Sequence, residues 1–199
     1  MNKKQLQSEQ TKKRVADAAR ALFVQKGYKA TSIEEIVEAT GSSKGNIYYH
    51  FKSKEGLFLY LLDEWDREWV QKWEQKEPLY HTTTDKLFGM AEQMALEDLN
   101  HPLTKAADEF FNNEEKTNEI EERIAEMVKG HLRFNQHLLQ QGIDSGEFKR
   151  ENVESLAVVL ESLWMGLGQM SRSTSLEEAL KLYHLAIKVF LYGIAKDSN

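Results

Sequence analysis

Residues 31–51 of this chain read TSIEEIVEATGSSKGNIYYHF and predict two short helices joined by a tight turn. Thr31 and Ser32 each stand three residues before a glutamate, which is the spacing of a capping box at a helix N-terminus. Gly41 follows the first helix at the position where a left-handed residue commonly ends one. One of the two serines after this glycine then caps the second helix.

The second short helix has one apolar face and one polar face. Ile47 and Phe51 form the inward pair, and Gly45 interrupts the outer face. Glycine costs a helix up to ~1 kcal/mol relative to alanine, so its presence indicates that another molecule approaches the backbone closely. The outer face carries hydrogen-bond donors, namely Ser43, Lys44, Asn46, Tyr48, Tyr49 and His50. This pattern is typical of a helix-turn-helix that enters a DNA groove, although a helical hairpin with a polar surface would share it.

The rest of the chain has helical periodicity. An amphipathic helix is predicted from Ser8 to Lys26, and a long fourth helix from residue 53 to about 75 is stopped by Pro78. Further helices are predicted near residues 84–99, 102–113, 117–141, 152–171 and 176–195, with a loop at 142–146. We predict an all-α fold of about nine helices, with a three-helix helix-turn-helix domain over 1–56 and a helical bundle over 57–199.

Charge is divided unevenly along the chain. The whole sequence has a formal net charge of -6, yet residues 1–56 hold eleven Lys/Arg against six Asp/Glu, a net of +5. Residues 57–199 therefore carry a net of -11. Because salt screens charges that are more than ~8 Å apart, the basic segment 1–56 can bind phosphates although the remaining residues 57–199, the body of the chain, are acidic.

Several classes of protein are disfavoured by the composition. There is no cysteine, and no apolar stretch approaches the roughly 18–20 residues that a membrane span requires. The N-terminus lacks the apolar core of a signal peptide, so we expect a cytoplasmic protein. No metalloprotease, phosphate-loop or serine-elbow motif occurs, so we expect no catalytic residue, no metal site and no cofactor.

Residues 27–57 closely resemble the N-terminal signature of the tetracycline-repressor (TetR) family of transcriptional regulators. The likeness covers some thirty consecutive positions of the sequence. Departures from the family pattern are mild: Val37 and Thr40 stand where alanine is usual, and Ser42 stands where valine is usual.

The resemblance implies a role for each matching residue. Thr31 and Ser32 would hold a phosphate at the start of the second helix, and Gly45 would let DNA approach. Lys44 is the foremost candidate for reading guanine, beside Ser43 and Asn46 at the base edges. The remaining implied contacts are phosphate bonds from Tyr48, Tyr49 and His50 and a charge contact from Lys54. For Tyr48 core packing is an equal alternative, and for His50 packing beneath the turn is an alternative.

The last two predicted helices are apolar on more than one face, which calls for a partner inside the chain and another outside it. We predict a homodimer through a four-helix seam, and hence a palindromic double-stranded DNA operator. The residues assigned to this seam are Val153, Leu156, Leu160, Leu163, Leu167, Leu180, Tyr183, Ile187 and Phe190.

Aromatic and methionine side chains in the body suggest a pocket for a small lipophilic or aromatic effector, although ordinary core packing explains each one separately. The candidates are Trp65, Trp69, Phe88, Met94, Phe110, His131, Phe134 and Trp164. The sequence thus predicts a ligand-responsive regulator, most simply a repressor released from its operator by the effector. The alternative is a helix-turn-helix interaction or nucleoid-associated protein without an effector.

Overall fold

The computed structural model describes residues 2–112 and 116–194, and within them it contains nine α-helices and no β-strand. The helices are α1 (Lys3–Lys26), α2 (Ile33–Thr40), α3 (Lys44–Phe51), α4 (Lys54–Lys76), α5 (Thr83–Asn100), α6 (Thr104–Phe111), α7 (Asn118–Asp144), α8 (Val153–Met170) and α9 (Leu176–Tyr192). Short 3-10 turns occupy Glu77–Leu79 and Ser171–Ser173. The all-α prediction is confirmed, while the predicted helix ends at 113 and 195 lie outside the described residues. No described helix combines the length and the apolar character needed to cross a membrane.

Local capping sets most helix starts. Ser32 and Ser175 form capping boxes with Glu35 and Glu178, as the spacing predicted. The first helix begins five residues earlier than predicted, at Lys3 rather than Ser8. The physical reason is a further capping box in which the Asn2 side chain accepts a hydrogen bond from the backbone N–H of Gln5, whose own side chain accepts one in return.

The end of α7 also differs from prediction. The glycine at 142 suggested a loop over 142–146, but the helix continues through Gly142 to Asp144. A Cβ atom at this position would lie 2.3 Å from the ring of Phe148, so the glycine makes room for that ring. Close packing, and not a change of backbone direction, explains this glycine.

The described chain forms two compact units. The described residues of the first unit fall within 1–69 and 102–124, and those of the second fall within 70–101 and 125–199. The first unit includes α6 together with the N-terminal helices, so the two units do not follow the predicted functional division at residue 56. That division stays a prediction.

The first unit is held together by aromatic rings beneath α1. Phe23, Tyr28, Phe58 and Phe110 are all nearly completely buried, and their ring centroids lie 5.0–5.7 Å apart where they touch. Gly27 ends α1 with φ of 86°, a conformation that favours glycine. The rings therefore pack the turn after α1 against α4 and α6.

In the second unit α5 packs against α8 and α9. Its core includes completely buried Leu87, Met90, Leu160, Tyr183 and Ile187. The carboxylate of Glu147 accepts backbone hydrogen bonds of 2.9 and 3.0 Å from the first turn of α5, where the helix dipole favours a negative charge. One side of α8 and α9 packs into this core. Another side of both helices carries exposed apolar side chains.

Candidate nucleic-acid interface

The α2–α3 pair is a helix-turn-helix. Gly41 adopts the left-handed conformation with φ of 63° and ends α2, and Ser43 caps α3 by accepting a hydrogen bond from the backbone N–H of Asn46. Ile36 and Ile47 are completely buried and Phe51 nearly so. These apolar contacts with α1 fix the angle between the two short helices and leave the opposite face of α3 to solvent.

The polar face of α3 is accessible as the sequence predicted. Tyr49 is 72% exposed and Tyr48 is 39% exposed, so Tyr48 is not part of the core. His50 is half-buried, and burial, with Lys12 nearby, lowers the pKa of its ring. An uncharged ring at neutral pH can donate one hydrogen bond to a phosphate but adds no positive charge.

Gly45 has no structural reason inside the chain to be glycine. It lies in α3, and a Cβ atom there would meet nothing nearer than the Ser43 hydroxyl at 4.0 Å. Since alanine would stabilise the helix, the glycine is best explained by a surface that approaches from outside.

Lys44 is the first residue of α3. Its side chain is exposed, and its ammonium group forms an ion pair. It lies 2.6 Å from the carboxylate of Glu34 on α2. The hydrogen bond from Lys44 lowers the pKa of Glu34, and the same bond raises the pKa of Lys44. Sequence reasoning missed Glu34, because nothing in the spacing of two residues ten apart shows that two helices bring them together.

Thr31, Ser32 and Lys54 have structural contacts instead of free donors. Thr31 is almost completely buried, and its hydroxyl donates to the carbonyl of Gly27 at 2.8 Å. The Ser32 hydroxyl takes part in the capping box of α2. The Lys54 ammonium donates to the carbonyls of Tyr28 and Thr31 at 2.9 and 2.8 Å, and burial lowers its pKa. This geometry favours a role for Lys54 in holding the turn before α2, and its phosphate contact stays a prediction.

Ser42, one of the three departures from the family pattern, packs into the turn between α2 and α3. It is 5% exposed, its backbone N–H donates to the Thr40 hydroxyl at 3.1 Å, and its own hydroxyl accepts from the Arg14 guanidinium at 3.3 Å. Arg14, which links α1 to the turn that precedes α3, is a second residue that the sequence did not single out.

The eight residues predicted to line an effector pocket are divided between the two compact units. Trp65, Trp69 and Phe110 belong to the first unit, and Phe88, Met94, His131, Phe134 and Trp164 belong to the second. Phe110 and Trp164 are buried, whereas the His131 side chain is 44% exposed. Their assignment to a pocket stays a prediction.

A buried carboxylate in the second unit was not anticipated. Glu161 on α8 is 8% exposed, accepts a hydrogen bond of 2.9 Å from the Asn135 amide, and lies 3.0 Å from Nδ1 of His131. Trp164 lies one turn further along α8, and its indole N–H is buried without a hydrogen-bond partner among the described residues. His131 and Asn135 are four residues apart and so lie on one face of α7, but the sequence contained no signal for the third member of this cluster.

The residues predicted for the dimer seam fall into two groups. Leu160, Leu167, Tyr183 and Ile187 are buried within the chain, and the remaining five are partly exposed. The exposed apolar stripes on the same helices include other residues: Val158, Val159 and Met165 on α8, and Leu185, Val189 and Tyr192 on α9. When a helix is apolar on more than one face, its sequence does not show which of these faces packs against the chain's own core.

Comparison with known proteins agrees with the geometry. A family described as "Bacterial regulatory proteins, tetR family" matches residues 15–61, and one described as "QacR-like protein, C-terminal region" matches residues 65–196. The HTH-type transcriptional regulator QacR of Staphylococcus aureus is 29% identical over 185 residues, which cover 93% of this chain and 98% of the relative. The uncharacterized regulator YhgD of Bacillus subtilis is 32% identical over 160 residues, covering 78% and 81% of the two chains.

Solved structures share the whole fold. The transcriptional regulator FadR from Bacillus subtilis, crystallised in complex with stearoyl-CoA, aligns with a TM-score of 0.75 at 22% identity and covers 92% of this chain and 98% of its own. A TetR-family regulator from Syntrophomonas wolfei aligns with a TM-score of 0.79 at 17% identity, covering 96% and 99% of the two chains. The family match over residues 65–196, the helix-turn-helix at α2–α3 and the nine α-helices of the described residues lead to one conclusion: the chain belongs to the TetR family of transcriptional regulators.

Proposed function

We propose that this chain is a homodimeric repressor that binds a palindromic DNA operator through α3 and is released from it by a small lipophilic or aromatic effector. The observation that carries the DNA-binding part is the accessible face of α3, where Gly45 leaves the backbone open and Lys44, Tyr48 and Tyr49 are exposed. Chromosomal DNA as the partner means that the protein works in the cytoplasm.

Selection from randomised duplex DNA tests the operator. Purified protein is expected to enrich a palindrome whose half-sites lie roughly one helical turn apart, about 34–36 Å. Titration at fixed salt should show binding at least ~10³-fold tighter than to a scrambled duplex. Binding without sequence preference would contradict the proposal and favour a helix-turn-helix protein that organises DNA or binds other proteins.

The effector part of the proposal is supported by the match of residues 65–196 to a QacR-like region and by the stearoyl-CoA found in the structure of FadR. Tryptophan fluorescence can report binding, since all four tryptophans lie in residues 65–164. Stearoyl-CoA is a suitable first probe, and coenzyme A without the acyl chain is its matched control.

Release requires that an effector bind the DNA-free and DNA-bound conformations with different affinity, because tight binding alone shifts no equilibrium. A ligand that saturates the protein is therefore expected to weaken operator binding at the same concentration. Unchanged operator affinity in the presence of every ligand that binds would contradict the effector part and leave the DNA-binding part standing.

A further inference from the structure

We propose that Glu34 determines how specifically this protein binds its operator, because it holds the ammonium group of Lys44 for base edges and keeps it from phosphates. The proposal rests on the proposed function, in which α3 enters the major groove. Glu34 does not need to contact a base itself. It acts through Lys44 and is therefore a positioning residue.

The contact depends on the packing of the two short helices. Glu34 is the second residue of α2 and Lys44 is the first residue of α3, and their side chains meet at 2.6 Å. Both side chains are exposed, at 68% and 54%, so the pair lies on the surface that DNA would approach. Buried Ile36 and Ile47 fix the helices that carry them.

A paired ammonium group can still serve a base. It has three N–H donors, so it can bond to the Glu34 carboxylate and to guanine O6 or N7 together. Those base acceptors are uncharged, and the carboxylate does not exclude them. Exposed ion pairs are weak, so the pair directs Lys44 without locking it.

A phosphate is different because it carries a full negative charge. To reach Lys44, a phosphate must either break the ion pair or come close to the Glu34 carboxylate. In the second case the two negative charges repel each other, and salt does not screen this repulsion at distances shorter than ~8 Å. Sequence-independent binding relies on such phosphate contacts, whereas operator binding adds base contacts. Glu34 thus weakens binding to random DNA more than binding to the operator.

Glu34→Gln tests this role, since it removes the charge and keeps the size of the side chain. Affinities are measured for the selected operator and a scrambled duplex over a series of salt concentrations. We expect the variant to bind scrambled DNA roughly 3- to 10-fold more tightly, with a salt dependence steeper by about one phosphate contact. Operator affinity should change less than about 2-fold, so the specificity ratio falls.

Two controls separate positioning from a general effect of charge. Glu38→Gln makes the same charge change one turn further along α2, where the side chain is also exposed, and should leave the specificity ratio unchanged. In a Lys44→Gln background, Glu34→Gln should lose its selective effect, because coupling between two residues appears as non-additivity in such a cycle.

The proposal is overturned if Glu34→Gln changes the affinities for operator and scrambled DNA by the same factor or leaves the salt dependence of binding unchanged. It is also overturned if the substitution changes the specificity ratio equally in the Lys44→Gln background. These failures are distinct from failure of the proposed function, in which the wild-type protein would already show no preference for any operator.

Discussion

At residue 45, stability and function make opposite demands on the side chain. Alanine fits α3 without a clash, since the nearest atom to a new Cβ would be the Ser43 hydroxyl at 4.0 Å. We expect Gly45→Ala to stabilise the fold by up to ~1 kcal/mol and to weaken operator binding, because the added methyl group obstructs the approach of DNA to the helix.

Thermal unfolding and operator titration measure the two effects of this substitution separately. Gly130→Ala is the matched control, since Gly130 also lies within a helix with open space, 4.0 Å from Arg133, and should leave DNA binding unchanged. Operator affinity that Gly45→Ala does not change would show that the glycine has no role in recognition.

For Lys54 the structure changes the role that the sequence implied. Its ammonium donates to the carbonyls of Tyr28 and Thr31. We expect Lys54→Met to destabilise the fold by about 1–2 kcal/mol, because two carbonyls lose a charged donor. The salt dependence of operator binding should change by much less than one phosphate contact.

Chemical denaturation measures the stability loss of Lys54→Met, and a salt series measures the number of phosphate contacts. Lys29→Met makes the same charge change at an exposed position of the turn that Lys54 contacts, and it should leave stability nearly unchanged. If Lys54→Met kept full stability but lost one phosphate contact, Lys54 would be a DNA ligand after all.

At the scale of single elements, the start of α2 depends on the charge of Glu35. Hydrogen bonds from Lys26 and from Ser32 lower the pKa of its carboxyl group from 4.5 to about 2. A group whose pKa is lower in the folded state stabilises the fold above its unfolded pKa, and this contribution disappears as the pH falls toward the folded pKa.

We therefore expect Glu35→Gln to lower the unfolding temperature by the same amount at pH 7 and pH 5.5. Below pH 4.5 the difference from the wild type should shrink, and it should be nearly gone close to pH 2. Thermal melts at these pH values check the window. A difference that stays constant down to pH 3 would mean that the charge of Glu35 contributes nothing.

On the scale of the whole molecule, the exposed apolar stripes on α8 and α9 need a partner, and we propose that a second copy of the chain supplies one by two-fold symmetry. Met165 is 62% exposed, so Met165→Glu should leave the folded chain intact. We expect it to raise the dimer dissociation constant at least ~100-fold, because a carboxylate placed in an apolar interface loses its hydration and gains no partner.

Analytical ultracentrifugation measures dimerisation, and operator affinity should fall along with it. Leu79→Glu provides the matched control, because Leu79 is an exposed apolar residue, at 73%, outside α8 and α9. If the Met165→Glu protein stays dimeric, the dimer interface does not include Met165.

Features that depend on neighbours along the chain could be predicted before the structure. Interactions between residues three or four positions apart determine the capping boxes at Ser32 and Ser175. They also determine the two short helices on either side of the left-handed Gly41. Such interactions are local, so residue type and spacing are sufficient to predict them.

Features that depend on residues distant in sequence were decided by tertiary packing. Leu160 and Tyr183 are buried in the chain while Val158 and Met165 are exposed, although all four are apolar residues on α8 or α9. The Glu34–Lys44 pair, the carbonyl contacts of Lys54 and the carboxylate of Glu161 likewise join residues 10 to 30 positions apart. Hydrophobic periodicity shows that a helix has an apolar face, but which neighbour covers that face depends on how the helices pack against one another.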